Sequence, residues 1–218
     1  MRDFDAVVFD MDGIIFDSER AVLESWYVVA DRHDLGDITE AFLACTGVND
    51  RETKEIMLSR FGEDFPYDEY SKEASAIFHE KYDGGKLPMK IGVKEILIFL
   101  KDSGKKIALA SSTRRPVVEA ELRDAGVLEF FDELVTGDVV KRSKPDPEIY
   151  LLACEKIGVA PERCYAIEDS YNGVRSASGG GLKAIMVPDL LSANDEMKEL
   201  TESVQESLLD VIEYLKGE

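Results

Sequence analysis

With 218 residues, 44 % of them hydrophobic, the chain can bury a sizeable core as one domain or two. Its 45 acidic against 26 basic residues leave a formal net charge of -19, which disfavours non-specific binding to nucleic acid or to an anionic membrane surface. An anionic substrate would therefore need a locally placed cation, and no apolar run reaches the length that spans a bilayer. Residues 1–5 lack the apolar run and small-residue cleavage site of a signal peptide, so a cytoplasmic location is expected. Cys45, Cys154 and Cys164 are widely spaced, with no Cys-x-x-Cys pair and only His33 and His79 as nitrogen partners. They read as reduced thiols and not as a zinc site.

In chain order, Val7, Val8 and Phe9 follow one another without polar alternation, the pattern of a strand covered on both faces of a largely parallel sheet. It runs into Asp10, Met11, Asp12 and Gly13, where the chain can turn while two carboxyl groups stay close together. Such a pair is costly without a cation or a shared proton, yet Asp and Gly are also ordinary turn residues. On its own this stretch is undecided.

Residues 18–33 place Val22, Leu23, Trp26, Val29 and Ala30 at helical spacing, with Ser18 as the expected N-cap. Helices are also expected within 40–43, 51–61 and 67–82, separated by Gly47, Gly62 and Pro66. Residues 83–88, Asp-Gly-Gly-Lys-Leu-Pro, read as a flexible linker. The segment 17–86 is thus a helical bundle inserted after the first strand, and Trp26 is expected in its core.

From residue 92 onward, helix and strand alternate: a helix at 93–103 stopped by Gly104, a strand at 106–110, a helix at 116–125 stopped by Gly126, and a strand at 133–136. A helix at 147–157 closed by Gly158, a strand at 164–167, a helix ending at Gly179-Gly180-Gly181, a strand at 183–187 and a covering helix at 207–215 complete the pattern. The glycine run follows a helix and belongs to neither a dinucleotide nor a P-loop motif, so it reads as a helix stop. The fold class is α/β, a Rossmann-like parallel sheet with right-handed crossovers and helices on both faces, formed by residues 1–16 and 87–218.

Ligands of such sheets bind beyond the carboxyl ends of the strands. Those ends carry Asp10 and Asp12, then Ser111-Ser112-Thr113, then Glu168-Asp169, while Lys144 sits in a loop before a helix. Asp10, Asp12, Glu168 and Asp169 offer the hard oxygens that Mg²⁺ prefers. Taken singly, Ser111 is a turn hydroxyl, Lys144 a solvated loop charge and Glu168-Asp169 a helix N-terminal pair. Only the ordered set points to phosphoryl chemistry.

In that order, Asp10-Met11-Asp12-Gly13, Ser111, Lys144 and Glu168-Asp169 resemble the four motifs of the haloacid dehalogenase superfamily along the whole chain. The insertion at 17–86 resembles the helical cap of its β-phosphoglucomutase-like branch, which includes phosphoglycolate and sugar-phosphate phosphatases. The resemblance implies Asp10 as nucleophile, Asp12 as general acid and base, Ser111 and Ser112 with Lys144 as phosphate-binding groups, and a Mg²⁺ site built from Asp10, Asp12, Glu168 and Asp169. A Mg²⁺-dependent phosphatase of a small phosphorylated metabolite, working as a monomer through an aspartyl phosphate, is the expectation. The alternative is a phosphomutase. Ile14 replaces a frequent Thr, and Val22 stands where the mutases carry a cap His, which argues against transfer to a second sugar hydroxyl. A signalling receiver domain shares the acidic cluster, hydroxyl and lysine, but lacks a helical insertion and carries its phosphorylated Asp on the third strand.

Overall fold

The computed structural model describes residues 1–46 and 50–217. Six strands form one parallel sheet in the order β3-β2-β1-β4-β5-β6: β1 (Ala6–Phe9), β2 (Lys106–Ser111), β3 (Glu133–Thr136), β4 (Cys164–Glu168), β5 (Lys183–Met186) and β6 (Ser203–Val204). β1 lies in the middle. Its four residues are fully buried, as expected for a strand covered on both sides.

Because successive strand side chains point to opposite faces, β1 feeds two cores. Val7 and Phe9 join one with α5 (Val93–Asp102), α6 (Arg115–Asp124) and α10 (Leu208–Lys216). Ala6 and Val8 join the other with α7 (Glu148–Ile157), α8 (Tyr171–Gly179) and α9 (Asp195–Leu200). Two short 3-10 turns, Leu128–Phe130 and Pro161–Arg163, lead into β3 and β4.

Between β1 and α5 lie α1 (Ser18–Arg32), α2 (Thr39–Cys45), α3 (Asp50–Phe61) and α4 (Tyr67–Tyr82). They share a third apolar cluster that contains Leu23, Trp26, Val29, Phe42, Met57 and Ala74. Trp26 is buried there and stacks on Tyr67 at 6.1 Å, as expected of a core residue. The expected helix break at Gly47 lies outside the described residues.

One expectation fails locally, and two short elements are new. Ser18 is the first helical residue and not the cap, which is Asp17 without a capping side-chain bond, because the Ser18 hydroxyl is turned to Asp12. α9 and β6 were not anticipated, being only six and two residues long. Among the described residues, no helix is long and apolar enough to cross a membrane.

The chain leaves and re-enters the sheet region through adjacent segments. Asp17 N–H donates to the Pro88 carbonyl at 2.9 Å and Lys90 N–H to that of Ile15 at 3.0 Å, so Phe16 and Met89 form an antiparallel bridge. A paired crossing therefore lies beside the loop expected to be a free linker.

Candidate active site

The ladder continues one residue past β1: Asp10 N–H donates to the Ile167 carbonyl at 3.0 Å, which fixes Asp10 beside the end of β4. The chain then turns back, with the Ile15 and Phe16 N–H groups donating to the Met11 carbonyl at 2.8 and 3.1 Å. Gly13 holds φ +75°, and a Cβ there would stand 2.3 Å from Asp169 Oδ2. Only glycine lets the turn and the Asp169 carboxylate approach this closely.

Lys144 reaches in from the loop between β3 and α7. Its Nζ lies 2.5 Å from Asp10 Oδ1, 2.6 Å from Glu168 Oε1 and 3.0 Å from the Ala110 carbonyl. The Tyr150 hydroxyl donates to the same Glu168 oxygen at 2.7 Å. Glu168 Oε2 accepts from Asp169 N–H at 3.2 Å and from the Ser170 N–H and hydroxyl at 3.3 and 3.1 Å. Both Glu168 oxygens are thereby committed, and Glu168 orients Lys144.

Oxygens of Asp10, Glu168 and Asp169 lie within 4.8 Å of one another, and all three residues are buried. Burial raises the Asp10 pKa, Lys144 pulls it back, and Glu168 and Asp12 push it up again, to about 8. Burial, then Glu168, Asp10 and Glu19, raise Asp169 well above the usual carboxylate range. Burial works against the Lys144 charge, but Asp10 and Glu168 outweigh it and hold the ammonium above its ordinary value. Lys144 thus pairs with Asp10 and Glu168 only, and among the described residues no hydrogen bond reaches the Asp169 carboxylate. A hard cation with oxygen ligands fits this donor set and would offset its repulsion.

Asp12 faces the other way. Its Oδ1 accepts from the Ser18 hydroxyl at 2.8 Å and its Oδ2 from that of Thr113 at 3.2 Å. It lines a cavity of about 270 Å³ between α1 and α4 on one side and the strand ends and α6 on the other, with Val22, Trp26, Ser75, His79 and Glu121. Val22, which stands where the mutases carry a cap His, lines this cavity together with Asp12.

Ser111 is fully buried at the end of β2, where its Oγ accepts from Thr113 N–H at 3.1 Å. Ser112 is exposed and lines a small pocket of about 40 Å³ with Lys144, Gly137 and Ser143. The structure therefore joins Asp10, Lys144, Glu168 and Asp169 directly, sets Asp12 at the neighbouring cavity, and leaves Ser111 and Ser112 without a direct bond to any of them. Sequence reasoning missed Tyr150, Thr113 and the Ser18 contact. Thr113 had a signal, the third hydroxyl of the strand-end run; Tyr150 had none, since it sits at a core-facing helical position.

A family model described as haloacid dehalogenase-like hydrolase matches residues 4–181. The phosphorylated carbohydrates phosphatase of Thermotoga maritima is 35 % identical over 185 residues, covering 83 % of each chain. Hexitol phosphatase B of Escherichia coli is 32 % identical over 130 residues, a match that spans 56 % of this chain and 59 % of that protein. Among solved structures, that of a putative β-phosphoglucomutase from Thermotoga maritima superposes with a TM-score of 0.79 at 30 % identity, over 98 % of this chain and 99 % of that one.

Proposed function

The chain belongs to the haloacid dehalogenase-like hydrolase family, and on that premise we propose that it is a divalent-metal-dependent phosphatase of a small phosphorylated carbohydrate. The observation that carries this reading is the placement of Asp10, buried at the central strand end, 2.5 Å from Lys144 and grouped with Glu168 and Asp169. The names of the two phosphatase relatives support the substrate class.

In this reading the Asp10 carboxylate attacks phosphorus and the alkoxide departs, leaving an aspartyl phosphate. Asp12, whose oxygens face the adjoining cavity, gives the departing oxygen a proton. It then takes one from the water that hydrolyses the aspartyl phosphate. Lys144 stays protonated between Asp10 and Glu168 and supplies fixed positive charge to the phosphoryl oxygens. Ser111 and Ser112 sit at the neighbouring strand end, where a hydroxyl and backbone amides can donate to the phosphate. The carboxylates of Asp10 and Asp169 and the carbonyl of Asp12 would hold Mg²⁺, with Glu168 orienting the set; when bound, the ion neutralises phosphoryl charge. Residues 17–86 form a cap domain over a core made of 1–16 and 87–218, with the cavity between them taking the leaving group.

A screen of phosphorylated metabolites, with Mg²⁺ and with chelator, tests the reading. Hydrolysis of at least one sugar or polyol phosphate that stops in chelator and in Asp10→Asn is expected. Full activity in chelator, or turnover of Asp10→Asn within about tenfold of wild type, would contradict it.

A further inference from the structure

The cavity beside Asp12 has an unusual wall. Among the described residues its lining contains two carboxylates, Asp12 and Glu121, and no lysine or arginine. Next to it lies a second cavity of about 390 Å³, which shares His79, Val117 and Glu121 with the first and adds Asp83 and Asp124, again with no lysine or arginine. A leaving group that extends away from Asp12 therefore passes between His79 of α4 and Glu121 of α6 and meets more negative charge beyond them.

Glu121 is half-buried, and among the described residues no donor meets its carboxylate. On α6, Val118 and Leu122 are buried in the core, which directs Glu121 to the neighbouring face. His79 Nδ1 is bonded to Asp83 Oδ1 at 2.9 Å, so the ring is oriented by its own helix end and its Nε2 remains available in the cavity. Ser71 and Ser75 of α4 add hydroxyls, while Val22, Trp26 and Val117 supply apolar surface. An acceptor-only carboxylate, two hydroxyls and an imidazole nitrogen suit an alcohol with several hydroxyls, because each hydroxyl can donate or accept as required. A second phosphate or a carboxylate would lie against Glu121 with no lysine or arginine among the described lining residues to offset it.

We propose that Glu121, with His79 across the cavity, is a specificity-determining residue that accepts hydrogen bonds from an uncharged, hydroxyl-bearing leaving group and rejects anionic ones. This deepens the phosphatase reading and rests on it. The preferred substrates are then sugar or polyol monophosphates with a neutral remainder, and bisphosphates and phosphoglycolate are poor ones. Burial first, then Asp12 and Asp83, raise Glu121 to about 7 while His79 lowers it, so the carboxylate is ionised in mildly alkaline buffer.

The test compares kcat/KM for sorbitol 6-phosphate, fructose 1,6-bisphosphate and phosphoglycolate at about pH 8, where a group near 7 is mostly ionised. Wild-type turnover of p-nitrophenyl phosphate reports separately on the phosphatase reading. Wild type is expected to favour sorbitol 6-phosphate by about a hundredfold, and Glu121→Gln should narrow that ratio at least about tenfold. Glu121→Lys should go further and raise the absolute rate on the bisphosphate, a gain that a merely damaged fold cannot produce. A ratio unmoved in both variants, or a wild-type preference for either anionic substrate while p-nitrophenyl phosphate is hydrolysed, would overturn the assignment of Glu121. Failure on every ester, p-nitrophenyl phosphate included, would remove the phosphatase reading and this inference with it.

Discussion

Asp10 and Asp12 are two residues apart and face different chemistry. Asp10 is locked to Lys144 in the buried cluster, whereas Asp12 hangs on the hydroxyls of Ser18 and Thr113 at the edge of the cavity. Asp12→Ala should therefore slow phosphorylation of Asp10 by alkyl phosphates at least about a hundredfold and by p-nitrophenyl phosphate far less, because p-nitrophenolate leaves without a proton. Equal losses on both ester types in that phosphorylation step, followed in a single turnover, would remove Asp12 from the general-acid role.

Glu19 gives a pH prediction. Burial first, then Asp12 and Asp189, raise its pKa from the ordinary 4.5 to about 7. A carboxyl with a raised folded-state pKa keeps its proton between those values in the fold and loses it in the unfolded chain, so stability falls as pH rises from about 4.5 to about 7. The cost above pH 7 is about 3.5 kcal/mol at most, since each pKa unit is worth about 1.4 kcal/mol. Glu19→Gln should raise Tm at pH 8 and lose that gain by pH 5. An equal shift at both pH values would mean that ionisation of Glu19 is not what matters.

Most of the candidate site was legible at this scale because its members end buried strands, where an acid or hydroxyl after an apolar run has no core role. Glu168-Asp169 after Cys164–Glu168 is such a case. Tyr150 was not legible: it lies on α7 among core residues, and only the three-dimensional fold brings its hydroxyl to Glu168. Glu121 carried no signal either, since nothing in its own segment announces the helices that cover it.

At the scale of elements, the crossing between the helical insertion and the sheet is held by charge. Lys90 lies 2.5 Å from Asp189 and 3.5 Å from Asp17, and the Asp189 side chain is 2 % exposed. One oxygen of each aspartate, Asp17 Oδ1 and Asp189 Oδ2, is buried without a hydrogen-bond partner. Removing the lysine leaves Asp189 buried and unpaired, so Lys90→Met should cost about 3 kcal/mol, or roughly 6–12 °C in Tm. Adding Asp189→Leu should restore part of the loss, because the stranded charge goes too. A Lys90→Met protein with unchanged Tm would show that the pair is not coupled to stability.

The same crossing shows what the sequence withheld. A Gly-Gly-Lys run reads as a flexible joint, but Gly84 and Gly85 hold φ +74° and +79°, and the paired segments at 15–17 and 88–90 tie both passages together. Proline cannot adopt those φ values, so a Gly84→Pro or Gly85→Pro variant would report strain rather than hinge motion. Long periodic elements were visible because burial imposes their spacing. α9 was not, because its six residues bury only Met197 and depend on an Asn194 cap, and β6 has two residues, too few for any period.

At the scale of the whole molecule, the helical insertion and the sheet border a shared cavity and the paired crossing, and on the phosphatase reading the choice between hydrolysis and transfer would be made at that cavity. A mutase needs a group on the insertion side that can take a proton from a second sugar hydroxyl. Val22 occupies the wall of that cavity near Asp12 and has no atom able to do so. The remaining titratable groups of the lining, His79 and Glu121, also line the second cavity. Water, which needs only Asp12 as base, should therefore take the phosphoryl group first. Given β-glucose 1-phosphate with a trace of glucose 1,6-bisphosphate, the enzyme should release inorganic phosphate faster than it forms glucose 6-phosphate, both followed by coupled assay. Val22→His puts a proton acceptor at that position of the wall and should raise the proportion of glucose 6-phosphate. Formation of glucose 6-phosphate as the main product of the wild-type enzyme would reverse the reading and make the protein a mutase that operates without a histidine at this position.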